Sequence, residues 1–172
     1  TRHATMPNDL PVRSLFTYTN GPVQTLFAAT DEGIWDVTSV VSPNDVALTN
    51  NGQDYLSPDG VNEAFGWESV DPDANLWPST NGEWVTVQYS TVGGSFVIGV
   101  NGVDEGFIYD GTSFEPLSVT FPAPMTSSTA DFSFVWVYKQ RIYFIGKDTL
   151  SAWYLPVDSI GGQVTELPLG GV

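Results

Sequence analysis

Residues 132–155 decide the fold, because three β-rich runs follow one another there with only short breaks. The runs read Phe132-Ser133-Phe134-Val135-Trp136-Val137-Tyr138, then Arg141-Ile142-Tyr143-Phe144-Ile145-Gly146, then Leu150-Ser151-Ala152-Trp153-Tyr154-Leu155. β-Branched and aromatic residues dominate all three runs, and these residues are enriched in strands. The stretch therefore predicts a small antiparallel sheet made of successive hairpins.

The same design occurs twice more, earlier in the chain. The runs of the first copy are 12–18, 25–29 and 33–37, and those of the second are 84–89, 95–100 and 106–111. Repetition on this scale is typical of arrays of small sheets such as propeller blades. We expect an all-β fold, specifically a β-propeller-like array of three blade-like units at 12–41, 83–117 and 131–167. With three units the array falls short of the roughly four to eight that close a propeller, so we expect part of a larger one.

The segment between the first two units, residues 42–82, has a different composition. Turn-forming residues dominate it and its apolar runs are short, which is typical of loops. We interpret it as an insertion or long connection with a strand near 45–49 and an aromatic cluster of Phe65, Trp67 and Trp77. Residues 1–172 then form one β-rich domain, or part of one.

The strand pattern also predicts which side chains form the core. Apolar side chains that alternate with more polar neighbours along a strand are expected to face inward. By this criterion the core contains Phe16, Phe27, Trp35, Phe96, Ile98, Phe134, Trp136, Ile142 and Phe144. Trp35, Tyr109 and Trp153 fall at comparable places in the three units, which favours a ladder of core aromatics between sheets over surface rings.

The charge is strongly one-sided, with five Lys and Arg against 20 Asp and Glu. No cation occurs between Ser14 and Tyr138. Nucleic-acid binding needs cations to neutralise phosphates, and anionic membranes attract basic segments, so we expect neither specific nucleic-acid binding nor a membrane partner. No apolar run is long enough to predict a membrane span.

The residue inventory also argues against an enzyme, a cofactor or a metal site. Without cysteine and with a single histidine, His3, the chain lacks the ligands of a zinc site and a triad base. Residues 71–75 begin like a calcium loop, but Leu76 stands where glycine is needed. Asp36 and Asp110 occupy matching places after third strands, which favours a turn role over a pair of catalytic carboxylates. We expect no catalytic residues.

The third unit also carries a resemblance. Residues 135–145, followed by Ala152-Trp153-Tyr154-Leu155-Pro156-Val157, Ile160-Gly161-Gly162 and Leu167-Pro168-Leu169-Gly170-Gly171, resemble a family of tailed-bacteriophage virion proteins. Residues 2–5, 12–18, 26–30 and 106–111 resemble other parts of the same proteins, whereas 42–83 is unmatched. Within the family, the chain is most similar to the tail nozzle of short-tailed phages, a propeller-bearing protein that closes the tail tube.

The resemblance implies a structural role in the virion, and it implies that this chain is part of a longer protein. We expect a tail or head-to-tail component that is assembled in the host cytoplasm. Its partners would be copies of itself in a cyclic ring and other tail, portal or adaptor proteins. The alternative is a carbohydrate- or receptor-binding β-propeller module, in which exposed aromatic rings stack on a ligand.

Two sets of residues are candidates for these roles. Assembly contacts are expected from Arg141, Lys139, Phe65, Trp67 and Trp77, and lumen-facing acids from Asp31, Glu32, Asp104 and Glu105. A negative lumen would let DNA pass without adhering to it. Arg141 could pair with acids across an interface, or form only a local surface ion pair of little energetic value.

Overall fold

The computed structural model describes residues 10–38, 75–125 and 127–170. Within these ranges the chain is all-β: it has no α-helix, and residues 129–131 form a single 3-10 turn. The strands assemble into three four-stranded antiparallel sheets. The prediction of an all-β array of small antiparallel sheets is therefore confirmed, although the described residues do not close into a propeller.

Each sheet is a meander in which consecutive strands are neighbours. Sheet 1 contains β1 (Ser14–Asn20), β2 (Val23–Thr30), β3 (Gly33–Asp36) and β4 (Trp77–Pro78). Sheet 2 contains β5 (Val85–Thr91), β6 (Gly94–Val100), β7 (Phe107–Tyr109) and β8 (Phe114–Pro116). Sheet 3 contains β10 (Phe132–Tyr138), β11 (Arg141–Gly146), β12 (Ser151–Tyr154) and β14 (Thr165–Pro168).

Two short strands join sheet 3 to the connector that precedes it. β9 (Val119–Thr120) pairs in parallel with β13 (Gly162–Gln163). The predicted last strand at 163–167 is thus divided between β13 and β14. The fourth strand of sheet 1, β4, lies inside the segment predicted to be an insertion, whereas the strand predicted near 45–49 lies outside the described residues.

The three sheets stack face to face in chain order. One core cluster lies between sheets 1 and 2 and contains Phe16, Tyr18, Phe27, Phe107 and Tyr109. A second lies between sheets 2 and 3 and is formed by Tyr89, Ile98, Val100, Val135, Ile142, Phe144, Trp153 and their neighbours. Sheet 2 is therefore covered on both faces, since alternate residues of its strands point to opposite sides.

Polar contacts tie the sheets together at their hairpin ends. The Gln88 side chain of sheet 2 donates from Nε2 to the Thr19 carbonyl at 2.6 Å, and its Oε1 accepts from the Thr19 N–H at 3.0 Å. Close backbone packing also contributes: a Cβ at Gly99 would lie 2.3 Å from the Phe107 ring. Only glycine fits beneath that ring without a shift, so the cross-strand pair Gly99 and Phe107 fills the interface with sheet 1.

Most of the predicted core is confirmed, and the ladder of core aromatics is confirmed in part. Tyr109 and Trp153 belong to the clusters between sheets 1 and 2 and between sheets 2 and 3, whereas Trp35 lies with Ala28 and Val37 in a separate cluster. Trp35, Tyr109 and Trp153 are exposed by only 4%, 8% and 4%. Phe134 is the clear error, because it is 49% exposed, and Phe96 and Trp136 are only half-buried. The cause in β10 is a β-bulge between Phe132 and Phe134, which inverts the alternation that follows it. Val135 then faces the core, and the flanking aromatics face away.

Candidate functional site

The hairpins that begin the three sheets are superimposable in register. Each has a two-residue turn, closed by the pairs Asn20–Val23, Thr91–Gly94 and Tyr138–Arg141. Counted from these turns, Tyr18, Tyr89 and Trp136 occupy the same position. In sheets 1 and 2 this position lies on the face that meets the next sheet, which we call the forward face.

The forward faces of sheets 1 and 2 are sealed by their neighbours. Tyr18 and Tyr89 are exposed by only 3% and 5%. Each hydroxyl donates to a backbone carbonyl of the next sheet's loops, Tyr18 to Asp110 at 3.2 Å and Tyr89 to Gln140 at 2.8 Å. Burial is also the main cause that raises the pKa of Tyr89. The shared position thus carries a ring that packs on the next sheet and bonds to it.

The forward face of sheet 3 meets no described sheet. Its exposed rings include Phe134 at 49% and Tyr138 at 56%, and Leu167 is 45% exposed. We call this surface the aromatic face, and its members, assigned by strand alternation and register, are Phe134, Trp136, Tyr138, Tyr143, Ile145, Tyr154 and Leu167. Phe134, Tyr138 and Leu167 are exposed and the other members are partly exposed, and contiguous apolar patches on a surface mark interaction sites.

The rings of the aromatic face are ordered by contacts with one another. Trp136 and Tyr143 lie directly opposite across the strands and stack with centroids 5.1 Å apart and planes at 16°. The row of rings continues on one side with Phe134, whose ring centre is 6.2 Å from that of Trp136. It continues on the other side with Tyr154, whose ring centre is 5.6 Å from that of Tyr143. Side chains held in this way lose little conformational freedom when a partner binds.

Two of the few cations border this face. The Arg141 guanidinium lies 5.2 Å from the centre of the Tyr154 ring, and the Lys139 Nζ lies 5.3 Å from that of Tyr138. Neither forms an ion pair within the described ranges, where the single salt bridge joins Arg13 to Asp31 at 3.0 Å. The described residues therefore do not contain the local surface ion pair that was one of the two alternatives for Arg141.

Of the three aromatic candidates from the sequence, Trp77 alone belongs to the described residues. Trp77, in β4, is partly buried and packs on the core between sheets 1 and 2, with its ring 6.2 Å from that of Phe107. It supports that core, and its predicted role in assembly stays a prediction. Phe65 and Trp67 lie outside the described residues.

Asp31 and Asp104, predicted to face a lumen, both hold the linker between β4 and β5. Asp104 accepts hydrogen bonds from Ser79 Oγ, from the N–H groups of Thr80 and Asn81, and from Asn101 Nδ2, at 2.8–3.1 Å. Partial burial alone would raise its pKa, but these bonds outweigh it and lower the pKa to about 2. Asp104 is therefore a structural hub between sheets 1 and 2.

Asp31 holds the next residue of the same linker. Its Oδ1 accepts from the Gly82 N–H at 3.1 Å, and its Oδ2 pairs with Arg13. The backbone bond from Gly82 and then the Arg13 hydrogen bond lower the pKa of Asp31. Glu105 is exposed but accepts from the Thr129 hydroxyl, and Glu32 is exposed at the adjoining turn. That these four acids face a lumen stays a prediction.

A cavity of about 280 Å³ opens beside sheet 3, with Phe121, Phe132 and Trp153 among its lining residues. Several of its polar side chains form hydrogen bonds: Ser151 Oγ donates to Glu166 at 2.5 Å, and Lys147 Nζ donates to the Gly102 carbonyl. Asp110 caps a turn by accepting from Thr112 and Ser113. Residues 10–38, 75–125 and 127–170 hold no group of three acidic or histidine side chains suited to a metal.

The aromatic face was missed from the sequence because its residues were assigned to the core or left unassigned. A usable signal existed: Phe134, Trp136 and Tyr138 alternate with two valines, and the next strand places Tyr143 across from Trp136. Both faces of such a strand pair are apolar, which indicates burial on two sides. Only the bulge decides which of the two faces meets sheet 2.

Comparison of the chain with protein-family models, curated proteins and solved structures found no match. In the described part of the chain, no helix has the length and hydropathy to cross a bilayer.

Proposed function

We propose that this chain is a structural component of a tailed-bacteriophage virion, a tail or head-to-tail protein that functions by assembly. The observation that carries the proposal is the aromatic face, a preordered apolar surface at the end of a stack of sheets. Covering it releases water from apolar area, at a gain of about 25 cal/mol per Å². A surface of this kind suits a subunit that is completed by its neighbours.

The proposal includes the architecture. We interpret sheets 1, 2 and 3 as successive blades of a β-propeller-like array that is part of a larger one. Three observations support this reading: each sheet is a four-stranded meander, the sheets stack in chain order, and equivalent positions pack in the same direction. These are the features by which radial arrays of sheets limit exposed edges.

The resemblance to short-tailed phage nozzles supplies the biological setting. Under the proposal, the chain is made in the host cytoplasm and resides in the virion, beside copies of itself in a ring and beside tail, portal or adaptor proteins. Its net charge of −15 suits a passage for DNA, because like charges repel. The role is structural and assigns no catalytic residue, cofactor or membrane contact.

The test is incorporation into particles. We expect this chain to band with phage particles in a density gradient, and to do so in a small constant copy number, as a ring requires. Peptide mass spectrometry against isotope-labelled standards, referred to the major capsid protein, measures that number. Recovery of the chain only in particle-free fractions would refute the virion role.

The second candidate is a carbohydrate- or receptor-binding module, favoured by the exposure of Phe134 and Tyr138. Sugars stack on the open faces of aromatic rings, yet Trp136 and Tyr143 turn one face toward each other, and Arg141 lies over Tyr154. The face therefore fits a protein partner better. Saturable binding on a glycan array that is lost in a Tyr154→Ala variant would favour this candidate instead.

A further inference from the structure

We propose that the aromatic face of sheet 3 docks a second copy of this chain in a head-to-tail arrangement, against the β1 side of that copy's sheet 1. The inference rests on the proposed function and names the surfaces through which assembly proceeds. Three independent observations lead to it: the direction of packing, the distribution of charge and the exposure at the other end of the stack.

The direction of packing is the same at both internal interfaces. The forward face of sheet 1 packs on sheet 2, and the forward face of sheet 2 packs on sheet 3. Trp136 occupies the position of Tyr18 and Tyr89 and points forward from sheet 3. To be covered in the same way, the forward face of sheet 3 needs a sheet whose opposite face is free to receive it. A second copy presents such a face on its sheet 1.

The charge distribution argues against pairing of the aromatic face with itself. The strands of sheet 3 place Arg141 on this face, with Lys139 at its border, and contribute no carboxylate to it, because Glu166 lies opposite Trp153 on the other side. A two-fold pairing would bring the cations of both copies to one interface without an acid.

The opposite end of the stack exposes apolar groups along its edge strand. In β1, Leu15 alternates with the core residues Phe16 and Tyr18, so it faces away from sheet 2, and it is 62% exposed. Val12, just before β1, is 44% exposed. Farther across the same side, Ala28 and Trp35 are buried, with exposed fractions of only 1% and 4%. The contact on sheet 1 is therefore expected along β1.

Interface contacts that are not self-complementary can be tested by mixing two defective copies. We would measure association of the full 172-residue chain by sedimentation velocity across a range of concentrations. Phe134→Asp disables the aromatic face, and Leu15→Asp disables the β1 side. Each variant alone should lose at least about tenfold in association constant, which corresponds to about 1.4 kcal/mol. Their equimolar mixture keeps one intact interface and should form dimers that do not grow further.

Val92→Asp is the matched control, because Val92 is fully exposed in the β5–β6 turn, and it should associate like the parent chain. Thermal melting of each variant verifies folding. Should Phe134→Asp not fold, Arg141→Glu takes its place, with a weaker association and a smaller salt dependence expected.

Several outcomes would overturn the proposal. A parent chain that stays monomeric at all concentrations would do so. Loss of association in Phe134→Asp alone, with Leu15→Asp unaffected and no rescue on mixing, would show two-fold pairing of the aromatic face. Equal association of Phe134→Asp and Val92→Asp would place the interface elsewhere. Incorporation into particles is measured separately, so the virion role can hold even if this interface fails.

Discussion

The forward faces of sheets 2 and 3 have the same position in their repeats, yet one is core and the other is surface. On sheet 2, Tyr89 and Ile98 are exposed by 5% and 0%, whereas Phe134 on sheet 3 is exposed by 49%. Both faces are built from aromatic and branched side chains. An apolar strand face is therefore necessary for burial but not sufficient, because the neighbouring sheet decides whether the face is covered.

The comparison is tested most strongly by removing one large ring from each environment. Phe144 is fully buried and stacks on Phe132 at 4.4 Å, so Phe144→Ala should lower the free energy of unfolding by about 3–5 kcal/mol. Phe134→Ala on the aromatic face should cost less than about 1 kcal/mol, because no cavity forms there. Urea denaturation of the dilute chain measures both. Equal losses would mean that the two faces do not differ as described.

A second prediction concerns the close approach of strands beneath an aromatic ring. Gly99→Ala should destabilise the chain by about 1–3 kcal/mol, because the added Cβ meets the Phe107 ring at 2.3 Å and the core must shift. Gly93→Ala is the matched control, since its nearest neighbour lies at 3.4 Å, and its melting temperature should hardly change. A neutral Gly99→Ala variant would contradict the packing between sheets 1 and 2.

The Asp104 hub predicts a pH-dependent effect. Asp104→Asn places an amide among the donors of Ser79, Thr80 and Asn81 and should cost about 1–2 kcal/mol at neutral pH. Because folding lowers the pKa of Asp104 to about 2, the stabilisation is complete above the unfolded pKa of about 3.9 and disappears as pH falls toward 2. Urea titrations of both proteins from pH 7 to pH 2 should converge at the acid end. A constant difference would exclude the carboxylate as its source.

The smallest predicted effect concerns the hydroxyl that ties one sheet to the next. Tyr89→Phe keeps the ring and removes the hydrogen bond to Gln140 at 2.8 Å, so it should cost about 0.5–1.5 kcal/mol. Tyr138→Phe, on a ring that is 56% exposed, should cost almost nothing. Double-jump or equilibrium urea experiments can resolve the difference. A larger loss in Tyr138→Phe would indicate that the aromatic face is stabilised by its hydroxyls.

Much of the fold could be predicted from local pattern. The strand runs, the hairpins and the burial of Trp35, Tyr109 and Trp153 all follow from residue type and alternation. The prediction failed at Phe134, where a bulge between Phe132 and Phe134 reverses the facing of each later residue. The strand that contains Trp77 was not predicted either, because a two-residue edge strand has too little pattern to be recognised.

The candidate site was less predictable than the fold. Arg141 and Lys139 could be chosen because cations are rare in this chain, and the structure places both beside the aromatic face. Asp104 was chosen as a lumen-facing acid, and its partners Ser79, Thr80 and Asn81, which the choice did not foresee, come from a linker more than 20 residues away. Such long-range convergence leaves no periodic signal in the sequence.

The sequence by itself determined the all-β character, the threefold repetition of hairpin units and the acidity of the surface, because these depend on residue types and their local spacing. The tertiary structure decided which face of sheet 3 is covered, which groups donate hydrogen bonds to Asp104, and how close Arg141 lies to the rings of the aromatic face. Those features depend on a single bulge and on contacts between sheets. Such contacts join residues that are distant in the sequence, so the local pattern of residues does not reveal them.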